Sequence, residues 1–163
     1  MDAGPLTKLE AETRAQGLSV LRYEVWLDLT LPTHFQGRCT VTFRTQALAL
    51  LWLDIDSQIY TELDHLEVST HYQLRSSRLY LPELPAGQHS VTVKYVGKYR
   101  RNGTGLHRFT DPVDQSVYLY SYFCPYFARA VFPCFDQPDL KACLCLTVRV
   151  LSEWKVYSNV TVT

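Results

Sequence analysis

The chain has 163 residues, of which 47% are hydrophobic and 20% are charged. This length and composition are typical of one globular domain with a single core, and they exclude a disordered or fibrous chain. The 16 Lys and Arg residues balance the 16 Asp and Glu residues, so no net field draws the chain to nucleic acid or to an anionic membrane. We therefore expect neither of these as a partner.

The amino-terminal segment carries charged residues throughout and has no apolar core of the kind that directs secretion. No stretch of about 18 apolar residues is present to span a bilayer. The five cysteines are an odd number and include no C-x-x-C pair, which favours reduced and partly buried thiols over a disulfide framework. These features together predict a cytoplasmic protein.

Residues 1–17 are expected to form a short helical lead-in. Thr7 and Glu10 have the spacing of a capping box, in which each side chain bonds to the backbone of the other residue. Gly17 follows as a stop signal.

The hydrophobic period then changes to two, which is the period of a strand with one buried face. In residues 21–29 the inward positions are predicted to be Leu21, Tyr23, Val25, Leu27 and Leu29. In residues 37–44 they are Cys39, Val41 and Phe43. These two segments are expected to pair as an antiparallel hairpin.

Further strands are predicted at residues 48–55, 63–68, 71–74, 78–81, 90–96, 106–109, 117–123, 144–150 and 154–158. No helix long enough for a β-α-β crossover lies between them, which argues against a parallel α/β fold. The pattern predicts an all-β fold, an antiparallel β-sandwich with a short N-terminal helix. The last predicted strand runs almost to Thr163, as expected where a larger protein continues.

The sequence offers no catalytic residue and no metal ligand set. The five histidines lack the His-x-x-x-His spacing of helical zinc sites, and none lies on the predicted helix. There is no G-x-S-x-G nucleophile motif, and the Gly103-Thr-Gly105 segment lacks the Lys of a phosphate-binding loop, so it is interpreted as a turn.

Three cysteines need separate treatment. Cys143 and Cys145 lie on the same face of a predicted strand, about 6.6 Å apart, where packing is favoured over a disulfide. Cys124 is a possible nucleophile, but its neighbours in the sequence include neither a His nor a helix start to activate the thiol.

The segment between the two strands at residues 117–123 and 144–150 is dense in proline and charge. We expect its charged groups to pair internally, Arg129 or Lys141 with Asp136 or Asp139. An exposed pair would contribute only about 0 to 1 kcal/mol, so a structural role requires partial burial and hydrogen bonding.

This segment and the one before it resemble the N-terminal β-domain of the M1 family of zinc aminopeptidases. The matching text is Gly105-Leu-His-Arg-Phe-Thr-Asp-Pro-Val-Asp114, Val117-Tyr-Leu-Tyr120, Ala128-Arg129 and Phe135-Asp-Gln-Pro-Asp-Leu-Lys-Ala142. Arg129, Asp136, Gln137 and Pro138 are the motif residues to which we assign a structural role. The resemblance extends from about Leu18 onward and is closest to the aminopeptidase N branch.

The resemblance implies a saddle-shaped β-domain at residues 18–163 that closes one side of the cleft for the peptide's amino end. In the complete family a separate catalytic domain removes N-terminal amino acids from peptides, using zinc held by a His-Glu-x-x-His helix. That motif is absent from this sequence. We therefore expect a chain that binds no zinc and is inactive alone, with the catalytic domain of an aminopeptidase or another protein as its partner. A peptide substrate would be bound only in the complete enzyme.

The family usually places Gln and an acidic residue just before the Pro of this loop, where they help to recognise the peptide's α-amine and side chain. In this sequence those two positions are Tyr122 and Cys124. A thiol is mostly neutral at pH 7 and cannot replace a carboxylate opposite an ammonium group. Loss of one charge-assisted hydrogen bond costs roughly 1.5 to 3 kcal/mol, on the order of ten- to a hundred-fold in binding. The resemblance thus implies impaired or altered substrate recognition.

Three readings remain open at this stage. The chain is either part of an aminopeptidase or a free-standing, non-catalytic binding module, which would dock a partner through an exposed apolar face that includes Trp26 and the aromatic residues between Tyr118 and Phe127. The third and weakest reading is an enzyme that uses Cys124 as its nucleophile.

Overall fold

The computed structural model describes residues 6–56, 60–62, 73–75 and 77–160. Within these residues, one helix and ten strands follow each other: α1 (Lys8–Gly17), β1 (Leu18–Asp28), β2 (His34–Thr45), β3 (Trp52–Asp54), β4 (Tyr60–Glu62), β5 (Gln73–Arg75), β6 (Arg78–Tyr80), β7 (Gly87–Lys98), β8 (Gly105–Thr110), β9 (Val117–Tyr122) and β10 (Cys143–Arg149). A 3-10 turn, Ala128–Ala130, lies between β9 and β10.

The strands form three sheets, which confirms the predicted all-β fold. A five-stranded sheet has the order β10-β1-β2-β7-β4, a three-stranded sheet has the order β3-β6-β5, and β8 pairs with β9. All of these pairs are antiparallel except β1 with β10, which is parallel. The parallel pair departs from the antiparallel pattern of the other strands, because the long connection at residues 123–142 brings β10 into the sheet in the same direction as β1 without a crossover helix.

Helix α1 begins as the sequence predicts. The Thr7 side chain accepts a hydrogen bond from the backbone N–H of Glu10, and the Glu10 carboxylate accepts one from the backbone N–H of Thr7. Glu10 also pairs with Arg78 on β6, with 2.6 Å between Nη1 and Oε1. The cap therefore fixes the start of the helix and also attaches it to the three-stranded sheet.

One core is shared by the five-stranded and three-stranded sheets. The inward residues of the predicted hairpin are buried from Tyr23 to Leu29 and from Cys39 to Phe43, as expected. Leu53 and Leu79 of the three-stranded sheet belong to the same cluster. The alternation of apolar and polar residues along β1, β2 and β7 thus predicts which residues form the core.

Leu21 is the exception to this alternation. It was predicted to face inward, but it is 40% exposed. The pairing register with β2 shifts between Val20 and Arg22, so Leu21 is the extra residue of a bulge. Val20 takes the buried position in its place.

Strand β10 is exposed on both faces. Leu144 and Leu146 continue the apolar face of the sheet and are 51% and 53% exposed. Cys143 and Cys145 are also exposed, so the prediction that they pack in the core was wrong. Their register partners are Arg22 and Glu24, on the polar outer face of β1. All five cysteines are free, and only Cys39 and Cys134 are buried.

The predicted strand at residues 154–158 is not present. The backbone N–H of Trp154 bonds to the Leu151 carbonyl at 3.0 Å, so the chain turns directly after β10. Within the described residues no strand pairs with this segment, and an alternating pattern without a partner does not form a strand. The strand predicted at residues 63–68 lies outside the described residues.

Candidate functional site

The candidate site is built on the β8–β9 hairpin and the connection that follows it. Gly105 begins β8 with a φ of +63°, a conformation that favours glycine. A Cβ at this position would lie 2.8 Å from the Cβ of Ala130. The glycine of the Gly-Leu-His-Arg motif therefore allows the hairpin to pack closely against the 3-10 turn.

One face of the hairpin presents aromatic rings to solvent. Tyr118, Tyr120 and Tyr122 alternate along β9 and are all exposed. The His107 ring lies beside Tyr120, with 4.7 Å between the ring centroids. The residue opposite Tyr122 is Gly105, which has no side chain to cover the Tyr122 ring.

Tyr122 and Cys124 are the two positions that the resemblance singles out, and the structure places both at the surface. Tyr122 ends β9, and Cys124 follows two residues later, before the cis peptide bond to Pro125. The backbone N–H of Phe127 bonds to the Phe123 carbonyl at 2.8 Å and closes this turn.

The predicted ion pair forms between Arg129 and Asp136. Arg129 donates to Asp136 Oδ2 twice, from Nε at 3.1 Å and from the backbone N–H at 3.2 Å. Burial raises the pKa of Asp136, and the hydrogen bonds from Arg129 oppose that shift. The Arg129 guanidinium also lies 5.4 Å from the centroid of Tyr126, which connects the pair to the turn that carries Cys124.

Asp54 on β3 is the buried centre of this arrangement. It accepts hydrogen bonds from Arg14 Nη1 at 3.1 Å, from the backbone N–H of Asp136 at 3.0 Å and from Trp52 Nε1 at 3.2 Å. Arg129 Nη1 lies 3.9 Å from Asp54 Oδ1. Two arginines from distant parts of the chain, Arg14 and Arg129, thus meet at one carboxylate.

Gln137 joins the motif to helix α1. Its side-chain oxygen accepts a hydrogen bond from Arg14 Nε at 2.9 Å, and its side-chain nitrogen donates to the Ala11 carbonyl at 3.0 Å. Pro138 and Asp139 are exposed beyond this contact. Arg129, Asp136 and Gln137 each make side-chain hydrogen bonds, and the structural role assigned to them and to Pro138 stays a prediction.

Sequence reasoning missed Arg14 and Asp54. Arg14 is the only buried residue of a polar helix, and Asp54 follows a short apolar segment, so neither belongs to a recognisable motif. The available signal was a charged residue within a predicted core strand, because such residues are almost never fully buried unless they are paired.

The described residues bring together no group of three or more His, Cys, Asp or Glu side chains that could hold a metal ion. Among the same residues, no helix is long and apolar enough to cross a membrane.

Comparison with known protein families gives a match over residues 19–163 to the Peptidase M1 N-terminal domain. The chain belongs to this family. The M1 family is zinc-dependent in general, and its N-terminal domain is one part of an aminopeptidase. The matched region includes the whole candidate site but begins after helix α1.

Individual relatives agree with this assignment. The chain is 38% identical to Aminopeptidase N of Streptomyces lividans in an alignment 162 residues long, which covers 94% of this chain and 19% of that protein. It is 36% identical over 88 residues to Probable M1 family aminopeptidase 2 of Encephalitozoon cuniculi, covering 53% of this chain and 10% of that one. It is 26% identical over 145 residues to Probable aminopeptidase 1 of Sulfurisphaera tokodaii, covering 87% and 17%. The M1 N-terminal domain described here thus spans less than a fifth of the length of these relatives.

Proposed function

We propose that this chain is the substrate-gating and structural domain of an M1 metallo-aminopeptidase and that it has no peptidase activity alone. The observation that carries the proposal is the family match over residues 19–163, in a chain that covers 19% of its Streptomyces relative. Residues 1–17 are the helical lead-in and residues 18–163 the β-domain. Zinc and the catalytic groups belong to a separate catalytic domain, which is the partner. Cytoplasmic localisation is part of the proposal, supported by five free cysteines.

Tyr122 and Cys124 are the residues that face the peptide's amino end in this proposal. Both are exposed at the end of the hairpin, so both are accessible to a substrate held by a neighbouring domain. Neither side chain supplies the carboxylate that an α-ammonium group prefers. Recognition of a free amine is weaker by roughly 1.5 to 3 kcal/mol than in a domain with the family's acidic residue.

The first experiment tests inactivity. The purified chain is incubated with zinc and with leucine, alanine, phenylalanine and arginine p-nitroanilides. We expect no hydrolysis above the zinc-only control. Zinc-dependent release of p-nitroaniline that is lost in the presence of a chelator would overturn the proposal.

The second experiment tests the gating role. Residues 19–163 replace the matched region of the Streptomyces lividans Aminopeptidase N, and kcat/KM is measured on leucine p-nitroanilide. We expect Tyr122→Gln combined with Cys124→Glu to raise kcat/KM by ten- to a hundred-fold, because a carboxylate is restored opposite the ammonium group. Tyr118→Gln is the matched control, since it changes an exposed tyrosine of the same strand face. Equal effects of the two changes would overturn the assignment of positions 122 and 124.

A second candidate function is a free-standing protein-binding module. The observation that favours it is the exposure of Leu144 and Leu146 on the apolar face of the sheet, together with the exposed tyrosines of β9. Trp26, which was also considered for such a surface, is half-buried. Sedimentation velocity of the purified chain separates the two candidates, because a monodisperse and soluble monomer counts against the binding module.

A further inference from the structure

Helix α1 lies outside the family match but is bonded to the centre of the candidate site. The match begins at residue 19, whereas Arg14 on the helix contacts both Asp54 and Gln137. Arg14 is 3% exposed and Asp54 is 1% exposed. A buried arginine and a buried aspartate, 3.1 Å apart, therefore connect this helix to a motif more than 100 residues away in the chain.

The surroundings of Arg14 leave its charge few other partners. Its guanidinium carbon lies 5.2 Å from the Trp52 ring centroid and 5.7 Å from that of Phe135. Within the described residues its Nη2 makes no hydrogen bond. The charge is thus held between two aromatic rings and neutralised by Asp54, an arrangement that is stable only while both charges are present.

Asp54 also forms hydrogen bonds with the connection between β9 and β10. Its backbone exchanges two hydrogen bonds with Cys134, of 2.7 and 3.1 Å, and its side chain accepts the N–H of Asp136. The Asp136 carboxylate in turn accepts hydrogen bonds from the side chain and the backbone of Arg129. Arg129 packs on Tyr126, two residues after Cys124.

We propose that Arg14 is a positioning residue for residues 123–137, the segment that follows Tyr122 and carries Cys124. Through Asp54, helix α1 holds the candidate site in place. The helix precedes the matched residues 19–163, but it belongs to the structure that supports the site. The inference rests on the proposed function only in treating Tyr122 and Cys124 as substrate-facing. The contacts themselves do not depend on that function.

Amide hydrogen exchange of the full chain tests the proposal. We expect Arg14→Met to accelerate exchange at the backbone amides of Phe127, Cys134 and Asp136 at least tenfold, because the buried Asp54 carboxylate loses its nearest cationic partner and the segment opens locally. Amides at the centre of the β2–β7 pair, such as Val41 and Val91, are expected to change less than twofold. Arg22→Met is the matched control, since it removes an exposed arginine whose partner is Glu24.

A merely stabilising role of Arg14 would give a different result. In that case both sets of amides would accelerate by the same factor, through global unfolding, and the proposal would be overturned. No acceleration at residues 127–136 would overturn it as well. Arg14→Lys keeps a positive charge beside Asp54, so it is expected to recover part of the protection, and equal exchange in the Lys and Met variants would contradict the ionic basis.

A milder variant keeps the test available if Arg14→Met does not fold. Gln137→Ala removes one of the two acceptors of Arg14 and leaves the ion pair with Asp54 intact. It is expected to accelerate the same amides by a smaller factor, and unchanged exchange would contradict the proposal. Because no peptide or reporter is used, failure of the proposed function in the p-nitroanilide experiment is seen separately from failure here.

Discussion

The hydroxyl of Tyr23 on β1 accepts a 3.0 Å hydrogen bond from the backbone N–H of Phe135, which lies 112 residues later in the chain. Both residues are buried. Burial is also the main cause that raises the pKa of Tyr23 far above its usual range. One phenol thus joins an inner strand of the large sheet to the motif of the candidate site.

Replacing Tyr23 by Phe is expected to destabilise the domain by about 1 to 3 kcal/mol, because the Phe135 N–H would lose its acceptor inside the core. Tyr95→Phe is the matched control. Its hydroxyl is buried and has no hydrogen-bond partner among the described residues, so its removal is expected to be neutral or stabilising. Urea unfolding of both variants measures the difference, and equal free energies of unfolding would contradict this prediction.

Gly97 on β7 is expected to tolerate no side chain. A Cβ built there would overlap the ring of Phe35, a fully buried residue that cannot move aside. Gly97→Ala is predicted to lower the free energy of unfolding by about 1 to 3 kcal/mol, because the added methyl group overpacks the core. At Gly17, by contrast, nothing lies within 4 Å of the new Cβ. Gly17→Ala is therefore expected to be neutral or slightly stabilising by thermal unfolding.

The attachment of helix α1 is expected to weaken in acid. Hydrogen bonds from the Arg78 side chain and from the Thr7 backbone lower the pKa of Glu10 from 4.5 to about 2. A lowered pKa means that this contribution to stability is complete above pH 4.5 and is lost as the pH falls towards 2. Unfolding of the wild type and of Glu10→Gln at a series of pH values measures it. The difference between the two proteins should shrink across this window, and a constant difference would contradict the assignment.

The five cysteines are expected to fall into two classes of reactivity. Cys124, Cys143 and Cys145 are exposed, whereas burial raises the pKa of Cys39 to about 12 and that of Cys134 well above its usual range. Iodoacetamide at neutral pH should therefore add three labels under native conditions and five in denaturant, as counted by intact mass. Modification of Cys39 or Cys134 at the rate of the exposed thiols would contradict the described core.

The local parts of the fold could be predicted because their signals are local. The Thr7 and Glu10 capping box, the hairpin of β1 and β2 and the buried face of β7 all follow from residue spacing. The pair of Arg129 and Asp136 was also predictable, since the two residues lie seven positions apart in one dense segment.

The parts that were missed depend on which strand lies beside which. The bulge at Leu21, the parallel partner of β1 and the exposure of Cys143 and Cys145 are set by sheet order, which hydrophobic alternation does not encode. The buried contacts of Arg14 and Asp54 likewise join segments that no spacing rule connects. In the candidate site, sequence therefore supplied the motif but not the helix and strand that hold it.

The parallel pairing of β1 with β10 also determines when this sheet can form during synthesis. β1 leaves the ribosome well before β10, so one of its edges has no partner until Cys143–Arg149 has been made. Loop closure over this separation is slow, and an unpaired strand edge is open to association with other chains in the meantime. The large sheet is thus completed only once β10 has emerged, and the period in which β1 is vulnerable is set by the length of chain between these two neighbouring strands.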